Sequence, residues 1–294
     1  MPVAEDWLTQ VGRGPSSWSA SAVTSGDVLL LEQHNPALSV GGAVMHPDHV
    51  AIIVPLRWEG EYLVNGQPLA PNAVFLTSRP SGYASRGSGR VLIAATLPRD
   101  PLTRTLAALR GVGPEDVEIP DGILDLPPAA MARLRTVLPT LVSRGEAPVG
   151  TGPGARRFRD AVFGALLDQC LLVGRSAVPV PSGLCHPERI VWRAEERFAE
   201  AEWGPVSLAD LCAAAGVSQS ALYMAFQHLY GEPPLRFFHS RRLNRARDLL
   251  VQSESRRGAI KNAALDCGLT EFGRFSRDYR MLFGETPSAT LGQN

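Results

Sequence analysis

One pattern of helices, written twice between residues 207 and 291, constrains the fold of this chain more than any other feature. In each copy, apolar residues at helical spacing lead to a glycine, and a hydroxyl side chain two positions later can cap a second helix. The glycines are Gly216 and Gly268, and the expected caps are Ser218 and Thr270. The apolar positions are Leu208, Leu211, Cys212, Ala215, Leu222 and Phe226 in the first copy, and Ile260, Ala263, Ala264, Cys267, Phe275 and Tyr279 in the second. Each copy therefore predicts a helix-turn-helix unit.

A long helix is expected to join the two units. Pro234 suits its first turn, because a proline there removes no helical hydrogen bond. The helical period turns one set of side chains inward, namely Leu235, Phe238, Leu243, Ala246 and Leu250. It turns a basic set mostly outward, namely Arg241, Arg242, Arg245 and Arg247.

The segments ALYMAFQHLYGEPPLRFFHSRRLNRARDLL and CGLTEFGRFSRDYRMLFGETPSAT carry this pattern. Together they resemble the DNA-binding domain of the AraC/XylS family, whose signature here reads GLxxxxxFSRxYRxxFGxTPS. The resemblance covers the C-terminal third of the chain. It implies a seven-helix, all-α domain over residues 188–294, with a tandem helix-turn-helix arrangement that binds double-stranded DNA. Two reading helices on one rigid unit can enter successive major-groove segments about one helical turn apart.

The resemblance also indicates which side chains face the DNA. The outward positions of the two reading helices are Ser220, Tyr223 and Met224, then Gly273, Arg274 and Arg277. Arg274 and Arg277 lie one turn apart and can each bind guanine O6 and N7, although a phosphate contact is the alternative for Arg277. Side chains near helix starts are expected to contact phosphate, namely Ser218, Lys261 and Thr270.

The first reading helix departs from the family pattern. Many relatives carry arginine where Met224 stands, and no positively charged residue occurs between Ser218 and Gln227. Base reading there is expected to rest on Gln219, Ser220 and Tyr223, with Met224 offering apolar contact to a thymine methyl group.

The charge distribution favours the same region as the DNA-binding part. The whole chain has 29 basic and 29 acidic residues. Residues 233–294 carry 11 Lys and Arg against 6 Asp and Glu, a charge of +5, whereas residues 1–186 carry 15 against 16, a charge of −1. We therefore expect salt-sensitive DNA binding through the C-terminal domain.

The residues ahead of this domain predict a mainly β fold. Short apolar runs alternate with turn clusters such as GG, NGQP and RPSG, a spacing typical of a small β-barrel or jelly roll. The expected strands are Asp27–Leu31, Leu38–Met45, Val50–Pro55, Glu61–Val64, Ala73–Leu76 and Val91–Leu97. The resemblance implies a cupin-like domain that senses an effector and dimerises. The predicted fold class is α+β: a cupin-like β-barrel with flanking helices over residues 1–175, a Pro-rich linker at 176–187 and the reader at 188–294.

Three helical stretches are expected after the strands, at Pro101–Arg110, Pro127–Ser143 and Arg156–Leu172. In the third, Phe158, Val162, Ala165, Leu166, Gln169 and Leu172 share one face. That face fits either packing on the barrel or pairing with a second subunit, and the resemblance favours a homodimer.

An effector site is predicted in the Gly/Ser-rich segment SRPSGYASRGSGR. Its candidate binding residues are Arg79, Tyr83, Arg86 and Arg90. Guanidinium groups suit a phosphate or a carboxylate, and an aromatic ring can stack on a ligand ring. The segment therefore predicts a small anionic effector, either a nucleotide or a carboxylate. A solvated basic loop is the alternative, as is an N-terminal domain that binds a partner protein.

Nothing in the sequence favours catalysis. His46 and His49 lack the GxHxH spacing that places two imidazoles on one strand face, and the proline between them favours a turn. The four cysteines form no CxxC pair, which argues against a structural zinc site. We predict no catalytic residue, metal or cofactor, and a cupin-type enzyme fused to a DNA-binding domain is the weaker alternative. The start, MPVAEDWLTQ, resembles no secretory leader, and no apolar run could span a membrane, so a cytoplasmic transcriptional regulator is expected.

Overall fold

The computed structural model describes residues 3–77, 83–143, 153–172, 175–176, 187–253 and 258–292. Its N-terminal part is an antiparallel sheet with flanking helices, and its C-terminal part is helical, so the α+β fold class is confirmed. Most of the predicted linker, residues 177–186, lies outside the described residues, and the domain boundaries therefore stay predictions. No helix in the described ranges combines the length and apolar character needed to cross a bilayer.

Ten strands form the sheet in the described part of the chain. They are β1 Val3–Gln10, β2 Ser19–Ser25, β3 Val28–Asn35, β4 Ser39–Met45, β5 His49–Val64, β6 Gln67–Pro68, β7 Ala73–Thr77, β8 Tyr83–Pro98, β9 Gly122–Asp125 and β10 Arg175–Ser176. Paired strands follow the order β1-β4-β8-β5-β7-β9-β10, with β3 joining β2 to β8 and β6 paired with β5. Because this path does not return to β1 among the described residues, the sheet is open, and the predicted cupin-like barrel is not confirmed.

The two longest strands, β5 and β8, correct the expected strand boundaries. β5 contains two strands that the sequence pattern separates, because bulges between Pro55 and Leu63 let one strand bend without ending. β8 begins at Tyr83 and pairs with β3, β4 and β5. The alternative of a solvated basic loop is therefore wrong for residues 83–90, which pair with neighbouring strands on both edges.

Five strands of the described residues have no counterpart in the predicted set, namely β1, β2, β6, β9 and β10. The first four residues of β2 are all exposed, so its sequence lacks the alternation that a half-buried strand shows. β1 pairs with β4 along Val3–Gln10, but part of its burial comes from helices of the C-terminal domain. A pattern search within one domain does not detect burial of that kind.

The helices of the sheet domain are α1 Arg99–Arg110, α2 Pro128–Ser143 and α3 Pro153–Leu166, and a π turn at Leu167–Leu171 continues α3. Val162, Leu166 and Cys170 share a buried core with strand residues such as Leu30 and Ile52. Phe158, Val162 and Leu166 of the predicted face thus pack on the sheet, which is one of the two alternatives, whereas Leu172 is 45% exposed.

In its described residues the C-terminal domain has seven helices, as the resemblance implies. They are α4 Pro187–Glu200, α5 Leu208–Ala215, α6 Gln219–Tyr230, α7 Pro234–Gln252, α8 Ala259–Asp266, α9 Phe272–Phe283 and α10 Pro287–Leu291. Ser207 and Asp210 form a capping box at the start of α5, and Ser218 caps α6 by accepting a hydrogen bond from the Ala221 amide. The predicted cap Thr270 is wrong, because α9 begins two residues later behind Glu271, which makes no side-chain cap.

One hydrophobic cluster joins the two domains. Val11 and Val40 of the sheet domain are buried with residues of α4 to α7, including Phe226 and Phe237. The Trp7 ring meets the Tyr230 and Phe237 rings edge-on at centroid distances of 5.7 and 6.0 Å. The second helix-turn-helix unit has a separate core around Tyr279 and Phe283. The first unit is therefore built onto the sheet domain, whereas the second packs mainly on its own helices.

Candidate DNA interface and effector cavity

Helix α6 presents an exposed face without a charged side chain. Leu222, Ala225 and Phe226 are buried, and the opposite face exposes Ser220 and Met224. Gln219 and Tyr223 flank that face, and Ser218 is exposed at the helix start. Met224 is 73% exposed, which places the predicted base-reading position of this helix in full contact with solvent.

Helix α9 presents the equivalent face with arginines. Phe275, Tyr279 and Phe283 are buried, while Gly273, Arg274 and Arg277 are exposed. Lys261 and Thr270, predicted to contact phosphate, are exposed as well. All predicted DNA-contacting residues thus lie at the surface, but whether they touch DNA stays a prediction.

Arg274 is held from behind by charged groups. Its Nε lies 3.5 Å from Asp278 Oδ2 along α9. The same carboxylate oxygen lies 2.9 Å from His239 Nε2 on α7. Arg274 itself is largely exposed, so the pair adds little to stability. Its geometric effect is to limit the directions in which the guanidinium can point.

The structure reveals three surface positions that the sequence prediction missed. Gln227 and Arg280 lie one turn beyond Met224 and Arg277 on the two reading helices, with the same 53-residue offset, and both are exposed. Phe272, at the start of α9, is 40% exposed, and Lys261 Nζ lies 6.0 Å from its ring centroid. Extending the tandem offset to the next helical turn would have identified Gln227 and Arg280 from the sequence.

Three of the four α7 arginines that were predicted to point outward do not form a free basic surface. Arg241 pairs with Glu195, Arg247 pairs with Glu285, and Arg242 donates to the carbonyls of Trp203, Gly204 and Cys267. Arg245 is exposed as predicted. Leu235 was predicted to point inward, but it is 45% exposed, because its side of the first turn of α7 faces solvent.

The end of β1 and the residues just after it are hydrogen-bonded to two helices of the reader, α7 and α9. The backbone amide of Gln10 donates to Asn244 Oδ1, and Asn244 Nδ2 donates to the backbone carbonyl of Gln10, both at 3.0 Å. Gln10 Nε2 and the Gly14 amide each donate to the Leu282 carbonyl at 3.0 Å. Asn244 belongs to α7 and Leu282 to α9, so the sheet domain contacts the helix that joins the two units and the second reading helix.

A cavity of about 400 Å³ lies beside these contacts. Its walls combine apolar side chains of the sheet domain, such as Leu31 and Leu92, with polar ones and with Arg241, Asn244 and Arg245 of α7. Cavities of this volume suit small molecules. Any molecule bound here would touch the sheet domain and the helix that connects the two reading units.

Arg90 gives the cavity wall a buried positive charge. It is 2% exposed, and its guanidinium donates to Ser85 Oγ at 2.9 Å, to Ser39 Oγ at 2.6 Å and to the Ser39 carbonyl at 3.1 Å. Its Nε has no hydrogen-bond partner, and no described carboxylate lies within ion-pair distance. The wall also contains the unpartnered Oδ1 of Asn35. Burial raises the pKa of the adjacent Tyr62 hydroxyl, which keeps that group neutral beside the arginine.

The predicted effector residues separate into different places. Arg90 and Tyr83 line the cavity, and burial raises the pKa of Tyr83. Arg86 lies elsewhere, with Nη1 3.6 Å from Glu61 Oε2 and its guanidinium against Gly231. Arg79 lies outside the described residues. Arg86 therefore does not share the cavity with Tyr83 and Arg90.

The histidine pair lies at the turn between β4 and β5. His46 Nδ1 is 3.4 Å from Asp48 Oδ2, and the rings of His46 and His49 are 5.9 Å apart. Burial and the neighbouring His46 lower the pKa of His49. Within the described ranges no three metal-ligating side chains converge.

A family model described as a helix-turn-helix domain matches residues 211–293, which contain both units. The XylDLEGF operon transcriptional activator 2 of Pseudomonas putida is 35% identical over 104 residues, or 35% of this chain and 64% of that activator. Residues 211–293 therefore carry a helix-turn-helix domain of the AraC/XylS type. The chain spans less than two thirds of the length of the curated relatives that it matches, so the family likeness is established on the reader.

The chain is also similar to solved structures. An AraC-family transcriptional regulator of Rhodopseudomonas palustris is 37% identical, covering 35% of this chain and 95% of that one, with a TM-score of 0.31. ToxT of Vibrio cholerae aligns with 94% of this chain and 97% of its own, at 12% identity and a TM-score of 0.36. Both scores are too low to establish a common architecture for the whole chain.

Proposed function

We propose that this AraC/XylS-family chain is a sequence-specific transcriptional regulator, not an enzyme, that binds double-stranded DNA and responds to a small anionic effector. The observation that carries the proposal is the pair of equivalent exposed faces on α6 and α9, each of which is the second helix of a helix-turn-helix unit. Faces of this size and polarity suit the major groove.

Selection from fragmented genomic DNA at near-physiological salt tests DNA recognition. The retained fragments are expected to share two sequence blocks about ten base pairs apart, because adjacent major-groove segments on one face of DNA have that spacing. Failure to enrich any motif, with or without candidate effectors, would contradict the proposed function.

Arg277→Ala is expected to lower affinity for the selected DNA by about ten- to a hundredfold, mainly at the second block. The reason is the loss of a guanidinium at the centre of the α9 face, where one good guanine contact contributes roughly 1–3 kcal/mol. Fluorescence anisotropy on the two-block duplex measures the change. Arg133→Ala, at an exposed position of α2, is the matched control and should bind like the wild type. An equal loss at every sequence would indicate that Arg277 contacts phosphate instead.

For the effector, we propose that one anionic group binds at Arg90 and that the apolar walls of the cavity hold the rest of the molecule. The buried guanidinium, its unpartnered Nε and the nearby α7 residues support this assignment. A ligand regulates only if it binds one domain arrangement better than another. The cavity meets that requirement in principle, since its walls come from both domains.

A thermal-shift panel of aliphatic and aromatic monocarboxylates and of nucleoside monophosphates tests the effector assignment. At least one acid should stabilise the protein in proportion to the logarithm of its concentration above Kd. A panel in which neutral amides stabilise as well as their acids would argue against an anionic effector.

We also propose that the chain forms a homodimer through its N-terminal domain. Leu109 and Val112 at the end of α1 and Val137 of α2 are exposed apolar side chains that support such a contact. Sedimentation equilibrium should give about twice the chain mass of 31.6 kDa, and the single-chain mass at all concentrations would exclude the dimer.

A further inference from the structure

We propose that the two reading helices recognise chemically different blocks: α6 reads the C5-methyl group of thymine through Met224, and α9 reads guanine through its arginines. This inference rests on the proposed DNA-binding function. It predicts that the DNA site has one block with thymine, which faces the first unit, and one block with guanine, which faces the second.

The first support is the position of Met224. Among the exposed large apolar side chains of the described residues, it has the highest exposed fraction, 73%. It occupies the place on α6 that Arg277 occupies on α9, 53 residues later. Ser220 lies one turn before it and Gln227 one turn after it, as Gly273 and Arg280 do around Arg277.

The second support is the absence of charge around it. Gln219, Ser220, Tyr223 and Gln227 are the other exposed side chains of this surface, and none of them is ionised near neutral pH. His228, the next exposed residue, is turned toward the sheet domain, where its ring contacts Gly66. The α6 face therefore has no guanidinium for guanine and no cation for phosphate among its described residues.

The third support is the chemistry of the groove itself. In the major groove, the C5-methyl group of thymine is the one methyl group that the unmodified bases present beside their hydrogen-bonding atoms. A flexible, polarisable thioether can cover that methyl group without demanding one fixed geometry. Tyr223, 38% exposed on the same helix, adds a second largely apolar surface beside it. A cytosine methylated at C5 presents the same group, and thymine is the source that we assign.

The opposite chemistry holds on α9. Arg274, Arg277 and Arg280 are all exposed, and Asp278 restrains the Arg274 guanidinium from behind. Bidentate donors of this kind match guanine O6 and N7. The different chemistry of the two faces therefore predicts which block contains thymine and which contains guanine. The block at which Arg277→Ala weakens binding is identified as the second one.

Atom-level base replacement tests the proposal on the duplex obtained by genomic selection. Each first-block thymine is replaced in turn by uracil, which lacks only the methyl group, and by cytosine or 5-methylcytosine opposite guanine. For the wild type, one uracil should weaken binding about fourfold, the contribution of roughly one buried methyl group. In Met224→Ala that replacement should have no further effect. Leu235→Ala, which removes an exposed apolar side chain of α7 outside both reading faces, should keep full sensitivity to uracil.

The arms separate the possible readings. Recovery of affinity with 5-methylcytosine but not with cytosine would show that the methyl group alone is read. Replacing second-block guanine by 7-deazaguanine should weaken the wild type and Met224→Ala equally. The proposal is overturned if uracil is tolerated at every first-block thymine, if Met224→Ala stays sensitive to it, or if the first block contains no thymine. A protein that selects no DNA would overturn the proposed function itself, before any of these arms applies.

Discussion

Phe237→Ala is expected to lower the free energy of unfolding by about 3–5 kcal/mol, the usual loss when a buried phenyl ring leaves a cavity. Phe237 is fully buried on α7, and its ring lies 4.5 Å from that of Tyr230 and 5.8 Å from that of Phe226. It also meets Trp7 of the sheet domain. The substitution should therefore weaken the first unit and its attachment to the sheet domain together.

Urea unfolding followed by tryptophan fluorescence measures this effect, since Trp7 reports on the same cluster. Leu235→Ala is the matched control, because Leu235 lies on the same helix but is 45% exposed, and its loss should change stability by less than about 0.5 kcal/mol. A similar, small effect of both substitutions would show that the two domains do not share a core in solution.

This shared core also explains what the sequence predicts well and what it does not. The helices of the reader follow from apolar spacing and from capping side chains, both of which act within a few residues. Ser218 is an example, since its hydroxyl binds an amide only three residues away. The burial of β1 depends on helices more than two hundred residues later, as the contact between Gln10 and Asn244 illustrates. No local period encodes a contact of that kind.

The same distinction between local and long-range information applies to the candidate sites. Exposure of Met224, Arg274 and Arg277 follows from helical period alone, and the structure places each at the surface as expected. For the arginines of residues 79–90, the sequence gives composition but not direction. A Gly/Ser-rich segment suggests a loop, whereas its neighbours pair it into β8 and so bury Arg90 while placing Arg86 elsewhere. Hydrogen bonding to other strands decided the outcome, and that information is not local.

Arg90→Met is expected to abolish stabilisation by the effector. The free energy of unfolding of the ligand-free variant should be no more than about 1 kcal/mol below the wild-type value. Burying a charge without an opposite charge is unfavourable, and apolar replacements of buried ionic groups are often neutral or stabilising. Against this gain stand the hydrogen bonds that Arg90 donates to Ser39 and Ser85, each a net contribution of about 1 kcal/mol. A guanidinium kept in place for a ligand should therefore be dispensable for folding, unlike one kept for structure.

Thermal unfolding with and without the best acid of the carboxylate and nucleotide panel distinguishes the two roles. Arg86→Met is the control, because Arg86 lies on the same strand but outside the cavity lining, and this variant should keep the full ligand-induced shift in Tm. A loss of about 3–5 kcal/mol in ligand-free Arg90→Met would assign the arginine to the core of the sheet domain. Retention of the ligand response in Arg90→Met would place the anionic group elsewhere. Preserved stability together with a lost ligand response is therefore the result that the ligand-binding role predicts.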